Sequence, residues 1–122
     1  MNILAKKKKR FSWSFENLIR RYDTLSFYER RRRNEDYDEV VIFNREFEQF
    51  NRILTQALGP AAKPAGARPT SYDEKLTQDF GGIHSNQTLF RREIDGKMIV
   101  AMLWPWGDDF HTTLKVVSIR RK

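Results

Sequence analysis

The chain has 122 residues, a formal net charge of +7, a mean hydropathy of -0.71 and no cysteine. That length suits one domain with a modest core, and 39% hydrophobic with 13% aromatic residues is too rich for a wholly disordered chain. The absence of cysteine excludes a disulfide framework, a thiolate zinc site and a cysteine nucleophile. The apolar run Ile3-Leu4-Ala5 is far shorter than a signal-peptide core, and no stretch approaches the ~18 apolar residues of a membrane span. The expected location is cytoplasmic.

Residues 1–11 read as a flexible basic arm, with Lys6, Lys7, Lys8, Lys9 and Arg10 in succession, and residues 12–122 as one α+β domain. Residues 1–33 carry a net +8, residues 34–58 a net -4, residues 59–79 zero and residues 80–122 a net +3.

Phe15, Leu18, Ile19, Tyr22 and Leu25 recur at spacings of three and four, which predicts a helix from about Ser14 to Arg33 capped by Ser12 or Ser14. Val40, Phe43, Phe47, Phe50, Leu54 and Ala57 continue such a spacing, and predict a second helix stopped by Gly59-Pro60. The short Asn34-Glu35-Asp36 turn would make the two an antiparallel helical hairpin. The run Val40-Val41-Ile42-Phe43 also fits a buried strand followed by Asn44 as a cap; the unbroken register favours the helix.

Residues 59–71, with three prolines and two glycines, read as a loop. Ser71 and Glu74 resemble a capping box that opens a short third helix, ended after Phe80 by Gly81-Gly82. Asp95-Gly96 is the dipeptide of a two-residue hairpin turn. With a second turn at residues 105–109, it predicts a three-stranded antiparallel meander of residues 87–94, 97–104 and 110–119. The middle strand is apolar throughout, as a strand covered on both faces would be. Opposing Ile94 to Lys97 and Trp104 to Phe110 assigns Leu89, Met98, Val100, Met102, Trp104, Phe110, Leu114 and Val116 to the core face, interrupted by Arg91 and Glu93 near one end. Phe90, Arg92, Ile99, Ala101, Leu103, His111, Thr113, Lys115 and Val117 fall on the other face, a binding surface or a partly covered one. The expected architecture is thus a helical hairpin plus a short helix on a C-terminal three-stranded meander.

Nucleic-acid backbones are met by cations, and single strands also by aromatic faces on which bases stack. The candidates are Lys6, Lys7, Lys8, Lys9 and Arg10, Trp13, Arg20, Arg21, Arg30, Arg31, Arg32, Arg33, Arg92 and Lys115. The leading expectation is a non-enzymatic protein that contacts RNA or DNA through charge and shape. The bland alternative is a solvated basic surface offset by the acidic segment after it.

A protein-interaction adaptor would turn the same cations on an acidic protein, or the open sheet face on an apolar one. An anionic membrane surface is a third partner, weakened by Asn2 where myristoylation needs glycine. For a small hydrolase or metal-dependent enzyme the residues would be His84, Asp109 and His111, although Gly-Asp-Asp is ordinary turn chemistry. No cofactor and no metal is expected.

Overall fold

A computed structural model describes residues 11–120. It is α+β: three helices and one five-stranded antiparallel sheet. The elements are α1 (Phe15–Tyr22), β1 (Glu29–Asn34), β2 (Tyr37–Phe43), α2 (Phe47–Leu58), α3 (Ser71–Thr77), β3 (Thr88–Ile94), β4 (Lys97–Pro105) and β5 (His111–Arg120). The strand order is β1-β2-β5-β4-β3.

Two expectations about the N-terminal half are corrected. The first helix ends at Tyr22 instead of Arg33, and the Arg-rich segment is an edge strand, β1. The Asn34-Glu35-Asp36 turn therefore joins two strands, with the Asn34 side chain accepting the Asp36 N–H, and there is no helical hairpin. The second helix begins only at Phe47, because Val40, Val41 and Ile42 are all fully buried and need two covered faces. A strand gives them that: Val40 and Ile42 point to one side and Val41 to the other. The helical spacing across residues 40–47 was the true face of α2, Phe50, Ile53, Leu54, Ala57 and Leu58, extrapolated backward.

β1 has no apolar residue, so periodicity could not reveal it; four arginines on an edge strand instead deter pairing with another chain. The other edge, β3, is covered by the proline-rich segment, where Lys63 and Leu89 exchange both backbone hydrogen bonds. The Lys63 ammonium is itself buried and donates to the carbonyls of Pro64, Ser85 and Gln87 at 2.9, 3.0 and 2.5 Å. It thereby ties this segment to the approach to β3.

The meander forms as expected within a larger sheet, and Ile94 opposes Lys97. The second turn differs: Trp104 pairs with Thr113, not Phe110, and Phe110, expected on the core face, lies before β5 and is exposed. β4 runs on to Pro105, and residues 107–110 form a four-residue loop closed by Trp106 N–H to His111 C=O. The odd offset turns every β5 side chain to the opposite face from that expected. Leu114 and Val116 consequently join Phe90, Ile99, Ala101 and Leu103, and this is the face on which α1 and α2 pack. The face expected to be the core, Leu89, Met98, Val100 and Met102, packs instead under Ile83, Leu76, Phe80 and Trp104. β4 is buried on both sides from Met98 through Leu103, as its composition requires.

α1 is capped by Ser14, whose hydroxyl accepts the Asn17 N–H. α3 is capped one residue earlier than the sequence implies, by a reciprocal box between Thr70 and Asp73. A turn of 3-10 helix carries the chain on to Phe80, and Gly81 follows at φ 100°.

Candidate functional site

The face opposite α1 and α2 is covered over β3 and β4 but opens toward β1. A cleft of about 550 Å³ lies there, walled by Arg32, Tyr37, Glu39, Phe80 and Lys115 and edged by Asn34, Asp36 and Asp79. Its floor is one row across the sheet: Arg32 opposes Glu39, and Glu39 opposes Lys115. Directly opposite residues share a face, so two cations flank one carboxylate.

Each cation rests on an aromatic ring. The Arg32 guanidinium lies over Tyr37, 5.2 Å from its centroid, and the Lys115 ammonium over Trp104 at 3.4 Å. Lys115 also donates to the Phe80 carbonyl at 3.1 Å. Burial pulls its ammonium below the ordinary value, and Glu39 pulls it back. Tyr37 donates to Glu39 at 2.6 Å; burial first and that bond second push its phenol up. The Phe80 ring lies nearly parallel to Tyr37, with an interplanar angle of 22° and centroids 6.4 Å apart. No carboxylate among the described residues forms an ion pair with Arg32. Glu39, by contrast, has its Tyr37 bond and both cations beside it.

The sequence candidates separate widely. Lys6 to Arg10 lie outside the described residues. Trp13 is half-buried against the main core and meets Phe11 edge-on at 4.8 Å. Arg20 and Arg21 are exposed on α1, away from the cleft, with Arg21 beside Arg52 of α2. Arg30 and Arg33 turn toward α1: Arg30 binds Asp38 at 2.8 Å and Asp23 at 2.9 Å, and Arg33 reaches Asp23 at 3.5 Å and Glu16 at 3.9 Å. Asp38 is fully buried and also accepts the Tyr22 hydroxyl. Arg31 pairs with Glu29 at 2.7 Å and stacks over Trp106. Arg92 donates to the Ala57 carbonyl in the last turn of α2, satisfying an otherwise orphan acceptor. Only Arg32 and Lys115 meet in the cleft. Sequence reading did not place Tyr37, Phe80 or Trp104 there, although β-strand alternation from Tyr37 would have put it with Glu39.

The Arg30–Asp38 pairing is the intramolecular neutralisation that the charge pattern suggested. Its extent is general: of the 23 Lys and Arg, seven flank residues 11–120, leaving 16 against all 16 Asp and Glu. The described body is neutral by formal charge, and the whole +7 belongs to residues 6–10 and 121–122. Near the limits of the described residues, Ser14 and Arg120 lie at one end of the sheet. Ser14, Phe15 and Ser118 line a common cavity with the β3–β4 turn residues Asp95 and Lys97, and Arg120 pairs with Lys97. Asn34, Asp36, Val117 and Ser118 of the cleft lie at this same end.

His111 occupies the other end of the sheet, enclosed by Tyr28, Phe43 and Trp106 with ring centroids 4.8, 5.7 and 4.8 Å away. Its Nδ1 is 2.6 Å from Asp108. His84 is exposed before β3, with its backbone N–H held by Gln87, and Asp109 sits in the β4–β5 loop at φ 67°. Among the described residues no group of three or more His, Asp or Glu is placed to hold a metal ion. Among them, too, no helix is long and apolar enough to cross a membrane.

The fold and cleft define an α+β domain with a cation–aromatic groove on the sheet face that its two main helices leave free. The chain matches no protein-family model, no curated protein and no solved structure.

Proposed function

We propose that this protein contacts single-stranded nucleic acid, without catalysis, through the Arg32–Lys115 cleft, aided by the cations of residues 6–10 and 121–122. The observation that carries the reading is the cleft itself: Arg32 without a carboxylate partner, a second cation across one β-row, and aromatic rings beneath and beside both. Phosphates would take the guanidinium and ammonium, and bases the Tyr37–Phe80 stack; aromatic stacking tolerates any base. Glu39 and Asp79 repel phosphate but accept hydrogen bonds from exocyclic amines, and they limit how many phosphates enter. The remaining attraction falls to Lys6–Arg10, Arg121 and Lys122.

The test is fluorescence anisotropy of labelled single-stranded RNA and DNA and the matching duplexes across a salt series. The full chain should bind single strands with affinity that falls as salt rises. Removing residues 1–10 should flatten the slope by roughly 0.7 per lost phosphate contact. Arg32→Glu should weaken binding at every salt concentration. Absence of salt-sensitive binding in both forms would sink the reading, and equal competition by polyglutamate would transfer it to an acidic protein partner.

A further inference from the structure

At the aromatic end of the sheet the charged side chains are engaged within the chain: Arg31, Arg45 and Asp108 pair with Glu29, Glu46 and His111. The loop there is pinned as well, by Asn44 N–H to the Phe110 carbonyl at 2.8 Å and by the Trp106 indole N–H to Thr113 at 2.7 Å. The exposed surface of α1 and α2 differs. A groove of about 380 Å³ lies between them, with Arg21 and Leu25 on one side and Gln49, Arg52, Ile53 and Gln56 of α2 on the other. The four α2 residues follow at spacings of three, one and three, so they share one side of that helix. Ile53, nearly buried, and half-buried Leu25 supply the apolar lining, while both arginines are exposed.

Neither guanidinium forms an ion pair among the described residues. Asp23 and Glu16, the acids of α1 and its C-cap, are held by Arg30 and Arg33. Glu48 stands four residues before Arg52, a spacing at which helical pairs form, yet the two do not pair. No carboxylate lines the groove, in contrast to the Arg32–Lys115 cleft with Glu39, Asp36 and Asp79. Two like charges thus face a shared apolar hollow with nothing to offset them. We infer that this groove docks an acidic segment of a protein partner, with an aliphatic side chain against Leu25 and Ile53 and carboxylates on Arg21 and Arg52. A guanidinium takes a carboxylate through two parallel hydrogen bonds. The Gln56 amide is placed to bond the segment's backbone, whereas Gln49 already donates to Glu46 at 3.0 Å. No aromatic ring lines the groove, so a nucleic acid would find cations there but no surface on which to stack a base. The groove lies on the helical side of the sheet and the cleft on the other, so the two sites stand independently.

Fluorescence anisotropy with the full chain tests this, using a labelled peptide in which one leucine is flanked by glutamates. The parent should bind it more tightly than the counterparts with glutamine for glutamate or alanine for leucine. Arg21→Glu with Arg52→Glu should weaken binding by at least about tenfold, the loss of two partly exposed ion pairs. Lys75→Glu with Lys97→Glu, an equal change of charge at other exposed positions, should bind like the parent, as should Arg32→Glu in the cleft. All four substituted positions of the paired variants are exposed, and circular dichroism of each variant should match the parent. Absence of peptide binding, equal weakening by the two paired variants, or indifference to the leucine would overturn the inference. Loss of single-stranded oligonucleotide binding on Arg21→Glu with Arg52→Glu, but not on Arg32→Glu, would overturn it too and give the groove to nucleic acid.

Discussion

The two ends of this sheet solve the problem of side chains that cannot enter the core in opposite ways. At the end where β1 turns into β2, charges answer charges: Arg30 and Arg33 are drawn onto Asp38, Asp23 and Glu16, and the cleft keeps Arg32 and Lys115 over aromatic rings. At the end where β4 turns into β5, rings answer rings, with His111 at the centre. The first arrangement depends on pairing, so its energetics are set by burial and protonation. The second depends on loop geometry and apolar contact. Composition alone, Arg-rich and aromatic-rich, does not distinguish them.

The strongest way to break the first end is Asp38→Ala. It leaves the Arg30 guanidinium with Asp23 alone and the buried Tyr22 hydroxyl without its acceptor. Removing one member of a buried pair costs about 3–5 kcal/mol, and Arg30, being part-exposed, sets the lower end of that range. Urea denaturation measures the loss; a cost below ~1 kcal/mol would show that water replaces Asp38 readily. Gly81→Ala should come next. Gly81 has φ 100°, and an added Cβ would clash with the Trp104 ring. Backbone strain of about 1–3 kcal/mol is expected, together with displacement of the indole beneath Lys115, read as a change in tryptophan fluorescence.

Alkaline pH sharpens the same contrast. Burial, with Asp38 adding to it, raises the Tyr22 phenol above its ordinary 10.0, and burial with the Glu39 bond raises Tyr37. The unfolded chain therefore releases these protons first. The stability they contribute is complete below pH 10 and declines as pH rises through and beyond it. Denaturation midpoints measured from pH 8 to 11 should fall at the upper end, and Tyr22→Phe should blunt the fall. Arg32→Ala should change stability by no more than about 0.5 kcal/mol, because the residue is exposed and unpaired by carboxylate. A larger loss would mean that its role is structural, and that the cleft is held shut by it.

What the sequence made legible follows the same division. The Asp95-Gly96 hairpin, the doubly buried β4 and the third helix were readable because turn chemistry and apolar runs are local. β1 was not, since Glu29 to Asn34 has no apolar alternation and its pairing is imposed by Asp38 and Asp23 from other elements. Lys63, a lysine in a proline-rich loop, gives no sign in sequence that three carbonyls will enclose it. The cleft was half legible. Arg32 and Lys115 were candidates by charge, but the face they share depended on where the β4–β5 turn closes. Placing it with Trp104 opposite Phe110 inverted β5, because a hairpin loop of unknown length fixes parity and parity fixes every side chain beyond it.

That turn supplies the smallest effect, and the cleanest one at the aromatic end. The hydrogen bond with His111 comes first among the causes, followed by the Phe110 N–H, and together they lower the Asp108 carboxyl from 3.8 to about 2. Its folded value lies below its unfolded one, so whatever stability it contributes is present above pH 3.8 and is lost as pH falls through about 2. An NMR titration of the Asp108 side chain should show that low midpoint, and His111→Phe should raise it while leaving the backbone bonds in place. Asp108→Asn retains a side-chain oxygen for the Phe110 and His111 N–H groups but removes the charge. It should preserve the loop, and with it the exposure of Phe110, whereas Asp108→Ala should loosen both. If the alanine variant left hydrogen exchange at residues 107–111 unchanged, the rigidity of the aromatic end would have to come from the Trp106 and Asn44 bonds alone.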